Sequence, residues 1–490
     1  MLVQRVCCAP CGAMEGGTPS LQRTAQSCCI SESGTPPNDG DLGAAPDNNA
    51  MFPAMNPTPA DQQPFHGIRV IEFGQFVAVP FCAQLLAEGG ADVIKIESLD
   101  GDPTRILRPL APMETRTFIS RNRGKRSLPL NLRHPDAATV INALLQDADV
   151  ALMNFRPGLA ERIGLGAEEL VRRHPRLIVG SVTAFGKRGP DAGFAGMDIV
   201  VQARSGLMAA NGRMAGDLPA PGDPVSADYM CAMSLAFGIS SALLRRERTG
   251  RGGMVDTSLM QAAMTLANNQ LIRSEAVDGP VHERTLERLA NQRRDGASFA
   301  EQASGMSAGR AMPLMKVYFR TYATADAPVA IACGSRSLRV RFLEALGLED
   351  PEMDAADNEG KTEHYLALMQ RAEVIFRSRP SAEWLAVLQE AGVPVSTVKF
   401  PVELFDDEHA RANEMFHTLE HPAAGDMTVL SPPVRMDGDG FRSREPAPAF
   451  ASATREILAE VGFDEAAVEA LLAAGATRAA PPPGDDSKRA

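Results

Sequence analysis

The sequence predicts an open, Rossmann-like α/β fold carrying a second, smaller α/β unit, and three observations predict it. Short β-rich apolar runs alternate with helical stretches from residue 67 onward, and the alternation restarts near residue 312 after a polar interval. A chain of 490 residues with 44% hydrophobic content also holds enough apolar surface to build cores of that size.

Residues 1–64 are rich in Gly, Pro, Ser, Asn and Cys without hydrophobic period, so they are expected to form a disordered leader, with Met51 or Met55 as the working start. "GIRVIEFG" (67–74) then reads as a buried strand, "VPFCAQLLAEGG" (79–90) as a helix closed by glycines, and "ADVIKIES" (91–98) as a second strand. Strand, helix and strand in so short a span require a parallel pair with a right-handed crossover. The pattern continues with "AATVINALLQDA" as helix, "DVALMNF" as strand, "GAEELVRRHP" as helix and "RLIVGSVTAFG" as strand.

From Ser226 to Arg248 the chain is almost uniformly apolar and helical, stopping at "TGRGG" with basic residues in its last turn. "VDTSLMQAAMTLANNQLI" (255–272) reads as another helix, which closes a large unit over 65–273. Residues 274–311 are polar and charged and are expected to be an exposed linker. In the smaller unit, 312–410, "PVAIACG" reads as a strand, "LRVRFLEALG" as a helix, and "SAEWLAVLQEAGVPVSTV" as a helix leading into a strand. Residues 411–478 end in two short helices within "EILAEVGFDEAAVEALLAAG", and 479–490 read as a disordered tail.

With 49 basic against 61 acidic residues the net charge is −12, so the surface should repel nucleic acid and anionic membrane, and any anionic ligand needs local basic groups. No run reaches the roughly 18 uninterrupted apolar residues of a membrane span and no secretory h-region opens the chain, so the expected compartment is the cytoplasm. Five of the eight cysteines crowd the first 29 residues and the others are scattered, which is not a disulfide framework. Cys8 and Cys11, with Cys28 and Cys29, could ligate zinc, but no histidine lies near them and no metal is expected.

After Gly74 the sequence runs "QFVAVP", without the glycines that let a dinucleotide pyrophosphate approach the backbone. Walker A and H-E-x-x-H patterns are likewise missing. Two acids stand out in "PGDPVSADYMCAM" (221–233). Asp223, between Gly222 and Pro224, reads as a turn residue. Asp228 stands at the mouth of the apolar helix, where position alone favours an N-cap.

Several stretches taken together resemble the family III CoA-transferases, which share their fold with the α-methylacyl-CoA racemases: "GIRVIEFGQFVAVPFCAQLLAEGGADVIKIESLDGDPTR", "NRGKRSLPLNL", "DVALMNFRPGLAERIGLG", "GMDIVVQARSGLM" and "TGRGGMVDTSLMQAAM". They occur in the family's order over about 66–475. The resemblance implies that Asp228 attacks an acyl-CoA thioester, giving an aspartyl anhydride and then an aspartyl-CoA thioester captured by an acceptor carboxylic acid. Coenzyme A is then a substrate, with no permanently bound cofactor. A helix N-terminus should keep such a carboxylate ionised, by about 0.3–1 kcal/mol, and its free amides could hold an oxyanion.

By the same resemblance Asn154 and Phe155 contact the nucleotide part of CoA, Arg162 its phosphates, and Lys125 and Arg126 are further basic neighbours. It also implies a small domain inserted into a large one, and two ring-like chains interlocked as a homodimer. The racemases use a histidine in "G-H-D"; here Met197 occupies that place and cannot take up a proton, while Asp198 remains to support the site. Transfer is therefore favoured over racemisation, with a catalytically silent CoA-binding relative as a further alternative. Val79 adds bulk after the first strand, and Ser98 and Leu99 stand where some members carry arginine or proline near the CoA.

Overall fold

Six strands, most of them built from buried apolar residues, form the central sheet: β1 Arg69–Phe73, β2 Asp92–Glu97, β3 Lys125–Pro129, β4 Val150–Met153, β5 Ile178–Thr183 and β6 Gly253–Ser258. The computed structural model describes residues 62–304, 306, 313–354, 359–436 and 440–480. The expected leader up to residue 61, with its cysteines and both candidate start methionines, and the tail beyond 480 lie outside the described residues. The strand order is β6-β5-β4-β1-β2-β3, and every pairing is parallel. The chain builds outward from β1 through β2 and β3, then returns to β4 on the other side of β1. The loops after β1 and β4 therefore diverge and leave a crevice at the carboxyl ends of the strands, where open α/β sheets bind ligands.

Both faces of the sheet are covered. On one, the helix Ala78–Glu88 and the long helix Ser226–Thr249 pack Val79, Cys82, Leu235 and Ile239 against Val70, Leu152 and Ile178. On the other, Val140 and Leu144 join Ile71, Ile94 and Val179, together with Ile457 and Leu471 of the C-terminal helices Thr454–Glu460 and Glu465–Ala473. Gly180 in β5 lets the long helix approach closely, because a Cβ there would lie 2.9 Å from Ile239 and 3.3 Å from Leu235. The long helix is apolar and long enough to cross a bilayer by composition, yet Leu235 and Ile239 are fully buried against the sheet. Its opposite side exposes Phe237 and Leu244.

Two expectations are corrected, and the expected linker, exposed as read, gains a helix. Residues 255–258 are not helical: Gly253–Ser258 pairs with β5 as an edge strand, and the helix begins only at Leu259 and ends at Leu266. Its alternating exposure and β-branched Val255 and Thr257 suit an edge. The expected linker contains a 20-residue helix, Glu275–Arg294, with no buried residue. Val79 does not reach toward a ligand, for it is fully buried and a Cβ on Gly74 would strike it at 2.2 Å.

The smaller unit has an antiparallel sheet, β7 Phe319–Tyr322, β8 Val329–Ala332 and β9 Val395–Thr397, in that order. Its helices Arg336–Leu346, Thr362–Phe376 and Ser381–Glu390 enclose a separate aromatic core in which Tyr322 and Phe376 stack at 4.4 Å. Trp384, also in this core, donates its indole N–H to the Phe376 carbonyl at 2.9 Å.

Candidate active site

The loops that diverge from β1 and β4 are tied together by one side chain. Asn154 accepts from the Gln75 N–H at 3.0 Å and donates to the Gln75 carbonyl at 2.9 Å, so its amide fixes the mouth of the crevice. Beside it, Phe76 holds a left-handed backbone, φ 68°, a conformation an aromatic residue keeps only when its surroundings impose it. Two adjoining lobes open here and share Phe155, Arg156, Pro157, Val182 and Thr183. The outer lobe, about 690 Å³, carries Arg156, Arg172 and Lys187 together with Glu161, Glu168 and Glu169, and Arg172 pairs with Glu169 at 2.6 Å. The inner one, about 390 Å³, ends on Asp228.

Asp228 lies in the first turn of the long helix, whose N-cap is Val225, without a side-chain hydrogen bond. The capping acceptor comes from elsewhere in the chain. Asp198, 6% exposed, accepts from the N–H groups of Ala227 at 2.8 Å and Asp228 at 3.1 Å through the same oxygen. Its other oxygen accepts from the Gln202 amide. Gln202 in turn accepts from the Gly222 N–H at 2.8 Å and donates to the Gly222 carbonyl at 3.0 Å, which pins the turn before the helix. Asp223 sits exposed in that turn.

Two expectations for Asp228 fail, each for its own reason. The helix-mouth amides of Ala227 and Asp228 are not free for an oxyanion, because Asp198 already accepts from both. Nor does the helix end depress the carboxyl. Burial pushes it up, the neighbouring Asp198 charge adds to this, and Arg121 only partly offsets them, leaving it at about 7. Among the described residues no group hydrogen-bonds to the Asp228 carboxylate, whereas Arg121 donates to the neighbouring Tyr229 hydroxyl at 3.3 Å.

The basic residues expected around CoA divide. Lys125 is fully buried and lines neither lobe: it donates to the Pro80 carbonyl and Asn122, and pairs with Glu72 at 2.7 Å. Burial lowers it to about 8 despite Glu72. Arg126 points to the other side of β3, bound to Asp92 and Glu460, and is likewise remote from the lobes. Alternation along a strand forces this opposition. Arg162 is exposed on the short helix Leu159–Arg162, whose Ala160 and Glu161 line the outer lobe. Phe155 lines both lobes, its ring 5.9 Å from Phe73.

Arg156, Arg172 and Lys187 are the cations the sequence reading missed, although Arg156 directly follows Asn154 and Phe155. Lys187 pairs with Asp256 of β6 at 2.5 Å and is 46% exposed at its side chain. Met197 lines the inner lobe, and among the described residues no histidine lines either lobe. A two-base proton exchange at a substrate α-carbon therefore lacks its second base among the residues described in the cleft.

The chain as a whole is similar to proteins named as CoA-transferases. The family described as CoA-transferase family III matches residues 65–454. The chain is 31% identical to the succinyl-CoA–L-malate CoA-transferase beta subunit of Chloroflexus aurantiacus over 407 residues, 81% of this chain and 94% of that protein. It is 27% identical to the cinnamoyl-CoA:phenyllactate CoA-transferase of Clostridium sporogenes, covering 83% of this chain and 95% of the relative. Among solved structures, a CAIB/BAIF family protein from Brucella suis superposes with a TM-score of 0.64 at 28% identity, over 81% of this chain and 99% of that one. A parallel six-stranded sheet and sustained similarity over most of its length make this chain a member of CoA-transferase family III, an enzyme that uses acyl-CoA.

Proposed function

We propose that the enzyme moves CoA from an acyl-CoA to a free carboxylic acid with Asp228 as the covalent nucleophile. The observation that carries this reading is a half-buried carboxylate without a hydrogen-bond partner among the described residues, in a cleft that it shares with the exposed Arg156. An Asp228 oxygen attacks the thioester carbonyl and the C–S bond breaks, giving an aspartyl anhydride and CoA thiolate. The thiolate then attacks the Asp228 carbonyl carbon and releases the donor acid as its carboxylate. The acceptor carboxylate attacks this aspartyl-CoA thioester, and returning thiolate takes the acceptor acyl group and restores Asp228. No proton or electron is gained or lost over the cycle.

In this reading Arg156, Lys187 and Arg172 hold the phosphates of CoA, Phe155 takes its adenine or pantetheine, and Asn154 keeps the mouth in shape. Arg162 would add to the phosphate field from the rim. Asp198 positions the helix end and the nucleophile. The exposed Phe237 and Leu244 of the long helix suit burial against a second copy, so a homodimer belongs to the proposal, as does a cytoplasmic location.

The test is chemical capture: incubation with an acyl-CoA, quenching with hydroxylamine or borohydride, and mass spectrometry of the peptide containing Asp228. A modified Asp228 is expected, with none in Asp228→Asn. CoA binding without any adduct would identify a silent relative, and solvent-deuterium exchange at the α-carbon without transfer would identify a racemase. Light scattering in solution reads the dimer directly.

A further inference from the structure

We infer, resting on that transferase reading, that the donor and acceptor acids are apolar monocarboxylic acids, held by an apolar wall made of Phe76, Phe194, Met197 and Val200 beside Asp228. All four line the inner lobe with Asp228. Phe194 is 62% exposed, Met197 55% and Val200 50%, an apolar cluster open to solvent at the very place where a thioester must lie. Contiguous exposed apolar surface in a cleft marks a binding site.

Charge argues the same way. Among the described residues and apart from Asp228, the only ionisable side chain lining the inner lobe is Arg156, which it shares with the outer lobe. A second carboxylate on the substrate would lie against this wall without a matching cation and close to Asp228 and Asp198, so both desolvation and repulsion oppose it. Arg121 is another cation near Asp228, but it lines neither lobe and donates to Tyr229. Because the acceptor enters the space the donor acid leaves, one wall selects both.

Self-exchange tests this without knowledge of the physiological pair. The full-length enzyme is given each acyl-CoA with its own isotopically labelled free acid: acetyl, succinyl, hexanoyl and 3-phenylpropanoyl. The hexanoyl and phenylpropanoyl pairs are expected to exchange with kcat/KM at least about tenfold above the succinyl pair. Phe194→Ala should lower exchange of the two apolar pairs about tenfold more than exchange of the acetyl pair. CoA titration checks that the variant still folds and binds. A succinyl pair as fast as the apolar ones, or a Phe194→Ala loss equal for all pairs, overturns the assignment of the wall while the transferase reading stands. Absence of exchange and of any Asp228 adduct with every donor overturns both.

Discussion

Two clusters of charge flank β1, and they are built on opposite terms. Beneath the β1–β2–β3 side, Lys95 pairs with Glu72 at 2.9 Å and Asp102 at 3.1 Å, Lys125 pairs with Glu72, and Arg105 pairs with Glu97 at 2.7 Å and Glu114 at 3.1 Å. Every member of that group is buried and each meets an opposite charge. At the helix mouth two carboxylates, Asp198 and Asp228, lie together. One accepts from backbone amides, and the other has no hydrogen-bond partner among the described residues. Matched buried charge is costly to break one partner at a time, and an acid without a hydrogen-bond partner at a cleft is a candidate for chemistry.

The sharpest way to break this contrast is to remove the unmatched acid. Asp228→Asn should lower transfer by on the order of 10³ or more, measured by single-turnover acylation. It should also stabilise the fold at pH 8 by about 0.5–2 kcal/mol, measured by denaturant unfolding. The sign follows from the raised carboxyl: ionisation costs the folded state more than the unfolded one. That cost is absent below the ordinary value of 3.8, grows up to about 7, and is complete above it. The stabilisation should therefore vanish toward pH 3.

The matched cluster should respond in the opposite sense. Lys125→Met leaves Glu72 with Lys95 alone and should cost about 3–5 kcal/mol of stability, while the folded fraction keeps its KM for acyl-CoA. Were Lys125 a phosphate ligand, KM would rise instead. A smaller effect is expected at the cleft: Arg156→Ala should raise KM for acyl-CoA about tenfold with kcat little changed.

The finest distinction is in pH. Acylation should rise about tenfold per unit below the Asp228 midpoint near 7 and level off above it, because only the carboxylate attacks. Asp198→Asn removes a neighbouring negative charge and should move that midpoint down, whereas Arg121→Gln removes a positive one and should move it up. A profile unmoved by both would show that burial alone sets the nucleophile.

Much of the fold was legible because strands buried on both faces are largely apolar runs, as in "VALM", and helices between them keep a clear period. β6 was misread since it is an edge whose residues alternate, with Asp256 among them. Glu275–Arg294 was misread because a helix without a buried side shows no stripe. At the site, the resemblance singles out Asp228, but the raised carboxyl was not legible. A helix dipole is local, whereas Asp198 lies 30 residues away and reaches Asp228 only through the fold. Lys125 and Arg126 show the same limit: sequence reveals that they are basic, and only the sheet decides which way each one points.

The Asp198 contact to the helix mouth bears on how the catalytic cycle distributes its energy. Either proposed covalent form of residue 228 is neutral, so loading the enzyme abolishes the repulsion between the two acids. On the proposed mechanism each acylation relieves that repulsion and each product release restores it. Loaded protein should accordingly melt at a higher temperature than empty protein at pH 8, and the covalent intermediate should accumulate whenever acceptor acid is scarce.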